Sequence, residues 1–287
     1  MKISVLITSY NPDFKTLNEL ITSIQPYIDS IVVVDNSEDS IDIENYINGN
    51  ITIIKNHNHN GISGALNLGI KELLCYNSNW ILFLDQDSVL VDGSLTRIIE
   101  TISIVDSDIG IVSTNAFYSE SKKKLINCSS SGLIDVDTVI TSGSIISSDC
   151  IKKVGLFNER YFIEFVDIEY CSRVKNKGFR ISVFCKPQLI AQFGNTTNVN
   201  IFGRTVFLDN HEPWRHYYRS RNFMYLFTSK YVRKNRFNLF KNFIKASVIT
   251  LTFESSRGVK MSALLLGIMH AIFGISLKHK TVIHRFG

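Results

Sequence analysis

The chain has 287 residues, 45% of them hydrophobic and 20% charged, which is long enough and apolar enough for one large α/β domain plus an extension or for two closely joined domains. Four prolines, no internal repeat and no low-complexity run exclude disordered, collagenous and solenoid architectures. A formal charge of +5 suits nucleotides, phospholipid headgroups or lipid pyrophosphates, and makes no case for nucleic acid.

The apolar run Ile3 to Thr8 is too short for a signal peptide and reads as a first strand, closed by the turn signal Ser9-Tyr10-Asn11-Pro12. Leu17, Leu20, Ile21 and Ile24 then recur at helical spacing, with Pro26 beyond them. Ile31 to Val34 is a second strand, apolar on both faces as a parallel sheet between helix layers requires, and it ends in Asp35-Asn36-Ser37. Ile51 to Ile54 predicts strand three, Gly61 to Leu74 a helix, and Trp80 to Leu84 strand four, running into Asp85-Gln86-Asp87. This alternation predicts right-handed crossovers and a doubly wound, mostly parallel α/β sheet. Ligands of such sheets bind outside the carboxyl ends of the strands, where three polar clusters converge.

From about residue 110 to 200 the pattern is mixed. Ile109 to Ser113 and Val139 to Thr141 predict strands; Ile151 to Gly155 and Asp167 to Lys177 predict helices, the second capped by Gly178. Beyond 210 the chain reads as helical and basic, with a boundary near residue 205. The five cysteines form no CxxC pair and leave an odd one out, so reduced thiols in a cytoplasmic setting are expected rather than a disulfide framework.

Several of these residues carry chemistry. Asp85 and Asp87, alternate residues of an extended segment, share a face and can address one Mg²⁺ or Mn²⁺ that neutralises a pyrophosphate leaving group. Asp35 is placed to bond a base or ribose, with Thr8 and Tyr10 lining the same pocket. Asn60-Gly61-Ile62-Ser63-Gly64-Ala65-Leu66-Asn67 is a small-residue approach to a helix that lets backbone come close to a ligand. It is neither a Walker loop nor a dinucleotide fingerprint. Asp167 and Glu169, two apart, cannot share a helix face, so one is expected to face a cleft while the other caps or pairs with Arg173. A carboxylate beside the sugar can take the proton of an attacking hydroxyl.

In this order, Thr8-Ser9-Tyr10-Asn11, Val32-Val33-Val34-Asp35-Asn36-Ser37, Asn60 through Asn67-Leu68-Gly69-Ile70 and Asp85-Gln86-Asp87-Ser88 resemble inverting family 2 glycosyltransferases of the GT-A fold. Thr141-Ser142-Gly143-Ser144, Phe165-Val166-Asp167-Ile168-Glu169-Tyr170-Cys171-x-Arg173 and Arg215-x-Tyr217-Tyr218-x-x-Arg221-Asn222 are similar to the bacterial rhamnosyltransferase branch. The resemblance spans roughly residues 3 to 225. It implies a GT-A catalytic domain over 1–205, with a nucleotide-sugar half to about 110 and an acceptor half to 205, followed by a helical extension over 206–287.

For the site it implies donor contacts from Thr8, Tyr10, Asp35, Asn60, Asn67 and Asp85, and metal ligation by Asp87 with Asp85. Asp167 is the implied general base, with Glu164 the alternative carboxylate, and Glu164, Glu169 and Arg221 meet acceptor or phosphate. The chain departs from the branch where a His-x-x-Gly segment is expected and Ala191-Gln192-Phe193-Gly194 stands instead.

The implied reaction moves L-rhamnose from dTDP-L-rhamnose to a polyprenyl-pyrophosphate-linked surface glycan, O-antigen or capsule. The weighed alternatives are a UDP-sugar donor on the same scaffold, a nucleotidyltransferase, and a nucleotide-binding, non-catalytic membrane-associated subunit. A nucleotidyltransferase would need a basic Gly-rich loop after strand one, where Ser9-Tyr10-Asn11-Pro12 stands. Phe237 to Phe253 and Met261 to Leu277 are apolar, flanked by Lys and Arg, and short for a membrane span. They are expected either to lie in the inner face of the cytoplasmic membrane as a peripheral anchor or to pack on the core or a homodimer partner.

Overall fold

The computed structural model describes residues 1–39, 51–118, 123–124, 126–128, 132–191, 197–201, 204–208 and 210–287. The chain divides into two compact units: Met1–Phe162 with Val166–Gln192, and Ile163–Phe165 with Phe193–Gly287.

The first unit contains, in chain order, β1 (Ile3–Ser9), α1 (Phe14–Ile24), β2 (Ser30–Asp35), β3 (Thr52–Lys55), α2 (Gly61–Cys75), β4 (Trp80–Asp85) and β5 (Val89–Leu90). There follow α3 (Ser94–Ile104), β6 (Ile109–Tyr118), β7 (Lys123–Lys124), β8 (Leu133–Asp135), β9 (Ser144–Ser147), α4 (Ser148–Val154), α5 (Val166–Asn176) and β10 (Arg180–Ala191). The main sheet runs β3-β2-β1-β4-β9-β6-β10-β5, with β7 on β6 and β8 on β10. β1 to β4 pair parallel, as their continuous apolar runs predict, and Val5, Leu6, Ile7, Val32, Val33, Leu82 and Phe83 are all buried. α1, capped by the Asp13 carboxylate on the Thr16 amide, covers one face with Leu17, Leu20, Ile21 and Ile24.

One predicted strand moves. Val139 to Thr141 has no strand pairing, and the strand is Ser144–Ser147, antiparallel to both β4 and β6. Gly143 turns the chain into it at φ 78°, donating to the Phe83 carbonyl at 2.7 Å and accepting from the Thr114 amide at 2.9 Å. Ile145 and Ile146 thereby reach the pairing positions between Leu82 and Val112 and between Ile81 and Ile111.

The expectation of unpaired thiols is also corrected. Cys128 and Cys185 form a disulfide, their Cα atoms 5.4 Å apart, while Cys75, Cys150 and Cys171 stay free. Fully buried Asn115 explains the meeting: its side-chain amide donates to the Ile126 and Cys185 carbonyls and accepts from the Ile126 amide. This bracket joins segments 57 residues apart, which cysteine spacing does not reveal.

The second unit holds a hairpin, β11 (Thr197–Ile201) with β12 (Arg204–Leu208), ahead of α6 (Pro213–Thr228), α7 (Arg236–Phe253), α8 (Arg257–Phe273) and α9 (His279–Phe286). The hairpin was not anticipated in the sequence. α6 and α8 pack closely at Gly267, where a Cβ would strike the Tyr217 carbonyl and the Ser220 hydroxyl. Phe223 of α6 stacks on Phe243 of α7 with ring centroids 3.9 Å apart. The same unit holds a buried ion pair, Glu254 to Lys260 at 2.7 Å, with His216 Nε2 4.0 Å from Glu254. Burial, and after it the charges of Arg219 and Lys260, push His216 down to about 4 against the pull of Glu254.

Two predictions follow from this packing. Gly61 sits at φ 62°, and a Cβ there would land on the Phe162 carbonyl, so Gly61→Ala should cost about 2–3 kcal/mol in urea unfolding. His216 takes up a proton near 6.5 when unfolded and only near 4 when folded, so stability falls as pH drops through that window. Between about pH 7.5 and about pH 4.5 the loss should reach about 2.5 kcal/mol, and His216→Gln should remove most of that pH dependence.

Candidate functional site

Parallel pairing sets the strand ends level. Thr8 of β1 pairs with Val34 of β2 on one side and Asp85 of β4 on the other, and Ser9 pairs with Asp35. The predicted donor residues Thr8, Asp35 and Asp85 therefore arrive at one edge of the sheet. The exposed ring of Tyr10 follows directly.

Asp35 is buried, and one of its oxygens is occupied: Oδ1 accepts from the Ser37 amide at 3.0 Å and the Ser37 hydroxyl at 2.6 Å. Its Oδ2 is buried without a hydrogen-bond partner among the described residues, an acceptor aligned with the other strand ends. Behind it Asn36, Asn56 and Asn58 bond in series, Asn56 Nδ2 to Asn36 Oδ1 at 2.6 Å and Asn36 Nδ2 to Asn58 Oδ1 at 3.2 Å. This network stiffens the β2 and β3 ends.

The two metal-ligand candidates meet by a route different from strand alternation. β4 ends at Asp85, and the chain turns there: the Ser88 amide donates to the Asp85 carbonyl at 3.1 Å, and Ser88 Oγ accepts from the Asp85 amide at 3.0 Å. The turn carries exposed Asp87 back towards Asp85. Asp85 is raised above the usual carboxylate range, first by desolvation, against a hydrogen bond from Ser142, and further by the negative charge of Asp87. Among the described residues no group of three or more His, Cys, Asp and Glu side chains forms a metal cage. Two hard-oxygen carboxylates in mutual repulsion nevertheless fit a Mg²⁺ or Mn²⁺ that completes its shell with phosphate oxygens and water.

Gln86, between them, has a role that the sequence does not mark. Its amide brackets the backbone of Tyr10, accepting from the Tyr10 amide at 2.7 Å and donating to the Tyr10 carbonyl at 3.3 Å, so the β1 and β4 ends are locked together. Ser142, in the Thr141-Ser142-Gly143-Ser144 motif, reaches both Asp85 and Ser88.

The small-residue segment at α2 approaches protein rather than open space. Gly61 abuts the Phe162 carbonyl and Gly64 the His59 carbonyl. The Ile62 amide donates to Phe162 at 3.0 Å, and Ser63 Oγ donates to the Tyr161 carbonyl at 2.5 Å. Asn60 donates to Glu159 at 2.6 Å, while buried Asn67 donates to Glu159 and the Phe157 carbonyl and accepts from the Phe157 amide. Both predicted donor contacts thus hold the strap of residues 157–162.

That strap continues into α5. Asp167 lies in the first turn of α5, half-buried, its Oδ1 accepting from the Ile168 amide at 2.8 Å. Buried Glu169 forms a two-pronged pair with Arg173, whose guanidinium also donates to the Val154 and Leu156 carbonyls. Glu169 is the member that pairs, as the spacing argument required of one of the two.

In the second unit, Glu164 and Phe165 both adopt left-handed backbone, φ 64° and 63°, a costly state for two successive residues with side chains. Asn222, fully buried on α6, donates to the Ile163 carbonyl at 2.6 Å and the Glu164 carbonyl at 3.0 Å. Arg215 grips the Glu164 carboxylate at 2.5 Å and 3.0 Å. Burial works to raise Glu164, but the charges of Arg215, Arg219 and His211 outweigh it and hold the carboxyl below its ordinary range. Arg221 is buried over the rings of Tyr217, Tyr218 and Tyr225 and donates to Asn222 Oδ1 at 3.1 Å and 3.2 Å. The Arg215 to Asn222 motif therefore clamps the turn one residue ahead of α5. Residues 192–194, where the sequence departs from the branch, lie outside the described residues.

Level polar ends on a mostly parallel twisted sheet, with an acidic turn closing the central strand, define the α/β fold of GT-A glycosyltransferases. Residues 4–127 match the model of glycosyl transferase family 2. The chain is 28% identical over 251 residues to the dTDP-rhamnosyl transferase RfbF of Shigella flexneri, covering 80% of this chain and 81% of that protein. Among solved structures it is similar to residues 1–349 of S. aureus TarS (TM-score 0.57, 16% identity, 95% of this chain and 81% of that one). It is also similar to GalNAc-T7 with UDP, GalNAc and Mn²⁺ (TM-score 0.58, 13% identity, 88% of this chain). It spans 57% of that GalNAc-T7 chain and 50% of a longer TarS chain. The chain is a glycosyltransferase whose residues 4–127 match glycosyl transferase family 2, and its sequence similarity runs to a dTDP-rhamnosyl transferase.

The clamp yields a prediction. Asn222→Ala removes the donor from two half-buried carbonyls and should lower stability by about 2 kcal/mol in denaturant melts.

Proposed function

We propose that this glycosyltransferase inverts the anomeric centre while transferring L-rhamnose from dTDP-L-rhamnose to a polyprenyl-pyrophosphate-linked glycan, an O-antigen or capsule intermediate, at the cytoplasmic face of the membrane. The observation that carries the reading is the register that levels Thr8, Asp35 and Asp85, with the Asp85-Gln86-Asp87 turn at the central strand. The 28% identity to a dTDP-rhamnosyl transferase supports the donor.

In this reading the unpartnered Asp35 Oδ2 accepts from the base or ribose, and Thr8 and Tyr10 flank the nucleoside. Asp85 and Asp87 would hold a divalent cation, whose positive charge would stabilise a departing diphosphate. Gln86 keeps the two strand ends from parting as the donor enters. Asp167 takes the proton of the acceptor hydroxyl as its oxygen attacks the anomeric carbon and the diphosphate leaves from the opposite face. Asn60, Asn67, Glu169 and Arg221 serve this arrangement by holding the strap, α5 and the strained turn, while Glu164 and its Arg215 partner shape the acceptor side.

The test is binding and slow hydrolysis of a panel of nucleotide sugars with Mg²⁺, Mn²⁺ or chelator. Metal-dependent selection of dTDP-L-rhamnose supports the proposal, whereas selection of a UDP-sugar overturns the donor and keeps the enzyme class. Asp87→Ala should abolish the metal dependence and lower turnover by at least about 100-fold. Asp167→Asn should leave donor affinity intact and lower transfer by about 10³.

A further inference from the structure

From Pro213 to Gly287 the chain carries 14 Lys and Arg and a single acid, Glu254, a formal +13 in a protein of +5 overall. That one acid is buried against Lys260, so the surface of these helices offers no negative side chain among the described residues. The same helices carry most of the exposed large apolar side chains of the protein.

On α7, Phe237, Phe240, Ile244 and Val248 are exposed at spacings of three, four and four, which is one stripe of a helix, with Phe237 77% exposed. Exposed Lys241 and Lys245 follow Phe240 and Ile244 along its shoulder. α8 buries Lys260, Ala263, Leu264 and Gly267 and exposes Met261, Leu265, Met269 and Ile272, again one stripe, ending at Phe273. Exposed Lys278 and Lys280 lie just beyond it.

Water-facing apolar stripes of this extent mark an interaction surface. Their basic shoulders select among partners. A second copy of the chain would bring the same positive charge to the contact, and like-charge juxtaposition is unfavourable. An anionic bilayer complements both features: the rings and aliphatic chains enter the acyl boundary, while the lysines reach up to the headgroups. No described helix is long and apolar enough to cross a membrane, so the mode is shallow and interfacial.

We propose that the outer stripes of α7 and α8, with Lys241, Lys245, Lys278 and Lys280, dock the protein on an anionic lipid surface. This deepens the proposed lipid-linked acceptor by naming the face that brings the enzyme to it, yet its test needs neither donor nor acceptor. The full chain is mixed with vesicles of phosphatidylglycerol and phosphatidylcholine, or of phosphatidylcholine alone, and sedimented. The expected result is binding to the anionic vesicles at least roughly tenfold tighter than to the neutral ones, weakened by salt. Two variants separate the contributions: Phe237→Ser with Val248→Ser and Leu265→Ser, and Lys241→Glu with Lys245→Glu. Each should lose most of the binding, with an unchanged circular-dichroism melt showing that the fold survives. Absence of vesicle binding, or binding that both variants retain, overturns the proposal. So does a wild-type dimer in analytical ultracentrifugation that the serine variant converts to monomer without any lipid affinity, which would assign the face to a second copy.

Discussion

The parallel register of β1 with its two neighbours is the constraint from which the site follows. A strand buried on both faces tolerates polar side chains only at its ends, so Thr8, Ser9, Asp35 and Asp85 stand where the apolar runs stop. Because β1 pairs residue for residue with β2 and β4, those ends are level, and a slip of one position would turn an apolar residue into the site. Gln86 reinforces the arrangement across the gap between β1 and β4 by satisfying both backbone groups of Tyr10. The Asp85 turn then brings a second carboxylate near the first; desolvation chiefly raises Asp85, and the charge of Asp87 adds to it.

A second line of positioning runs through the strap from Phe157 to Phe165. Its first part is held by the opening turn of α2, through Asn60, Ser63 and Asn67 and through the missing side chains of Gly61 and Gly64. Its last part holds two left-handed residues in succession, a conformation that persists only where surrounding bonds over-determine it. Asn222 and Arg215 supply those bonds from α6, and Arg221 in turn donates to the Asn222 side chain. The strap leads without interruption into α5 and Asp167.

The helices of the second unit combine a polar interior with an apolar exterior. Inside, Glu254 and Lys260 neutralise each other and His216 stays uncharged, while tyrosine hydroxyls of α6 meet His270 of α8 and His279 of α9. Outside, the rows from Phe237 to Val248 and from Met261 to Phe273 face water. α8 packs on α6 at Gly267 and places Leu264 in the cluster of Phe223 and Phe243, while Met261, Leu265, Met269 and Ile272 stay exposed.

Much of this was legible from local pattern. Continuous apolar runs located β1, β2, β3 and β4, and period-3.6 stripes located α2 and α5, to within a residue or two, because burial on both faces leaves an unbroken run and burial on one helix face a repeating stripe. The polar clusters at the strand ends, and hence the candidate carboxylates, were legible for the same reason. What needed tertiary structure were the contacts between distant segments: β9 at Ser144–Ser147, recruited by partners on β4 and β6; the Cys128–Cys185 pair, brought together by Asn115; and the β11–β12 hairpin. The same holds for the roles of Asn60, Asn67, Glu169 and Arg221, whose side chains the fold turns to Glu159, Arg173 and Asn222. The sequence by itself determined the apolar periodicities and the charges at their ends, since each is a property of neighbouring residues. Only the tertiary structure decided which polar side chains are left to face a ligand, because that depends on hydrogen bonds between residues dozens of positions apart.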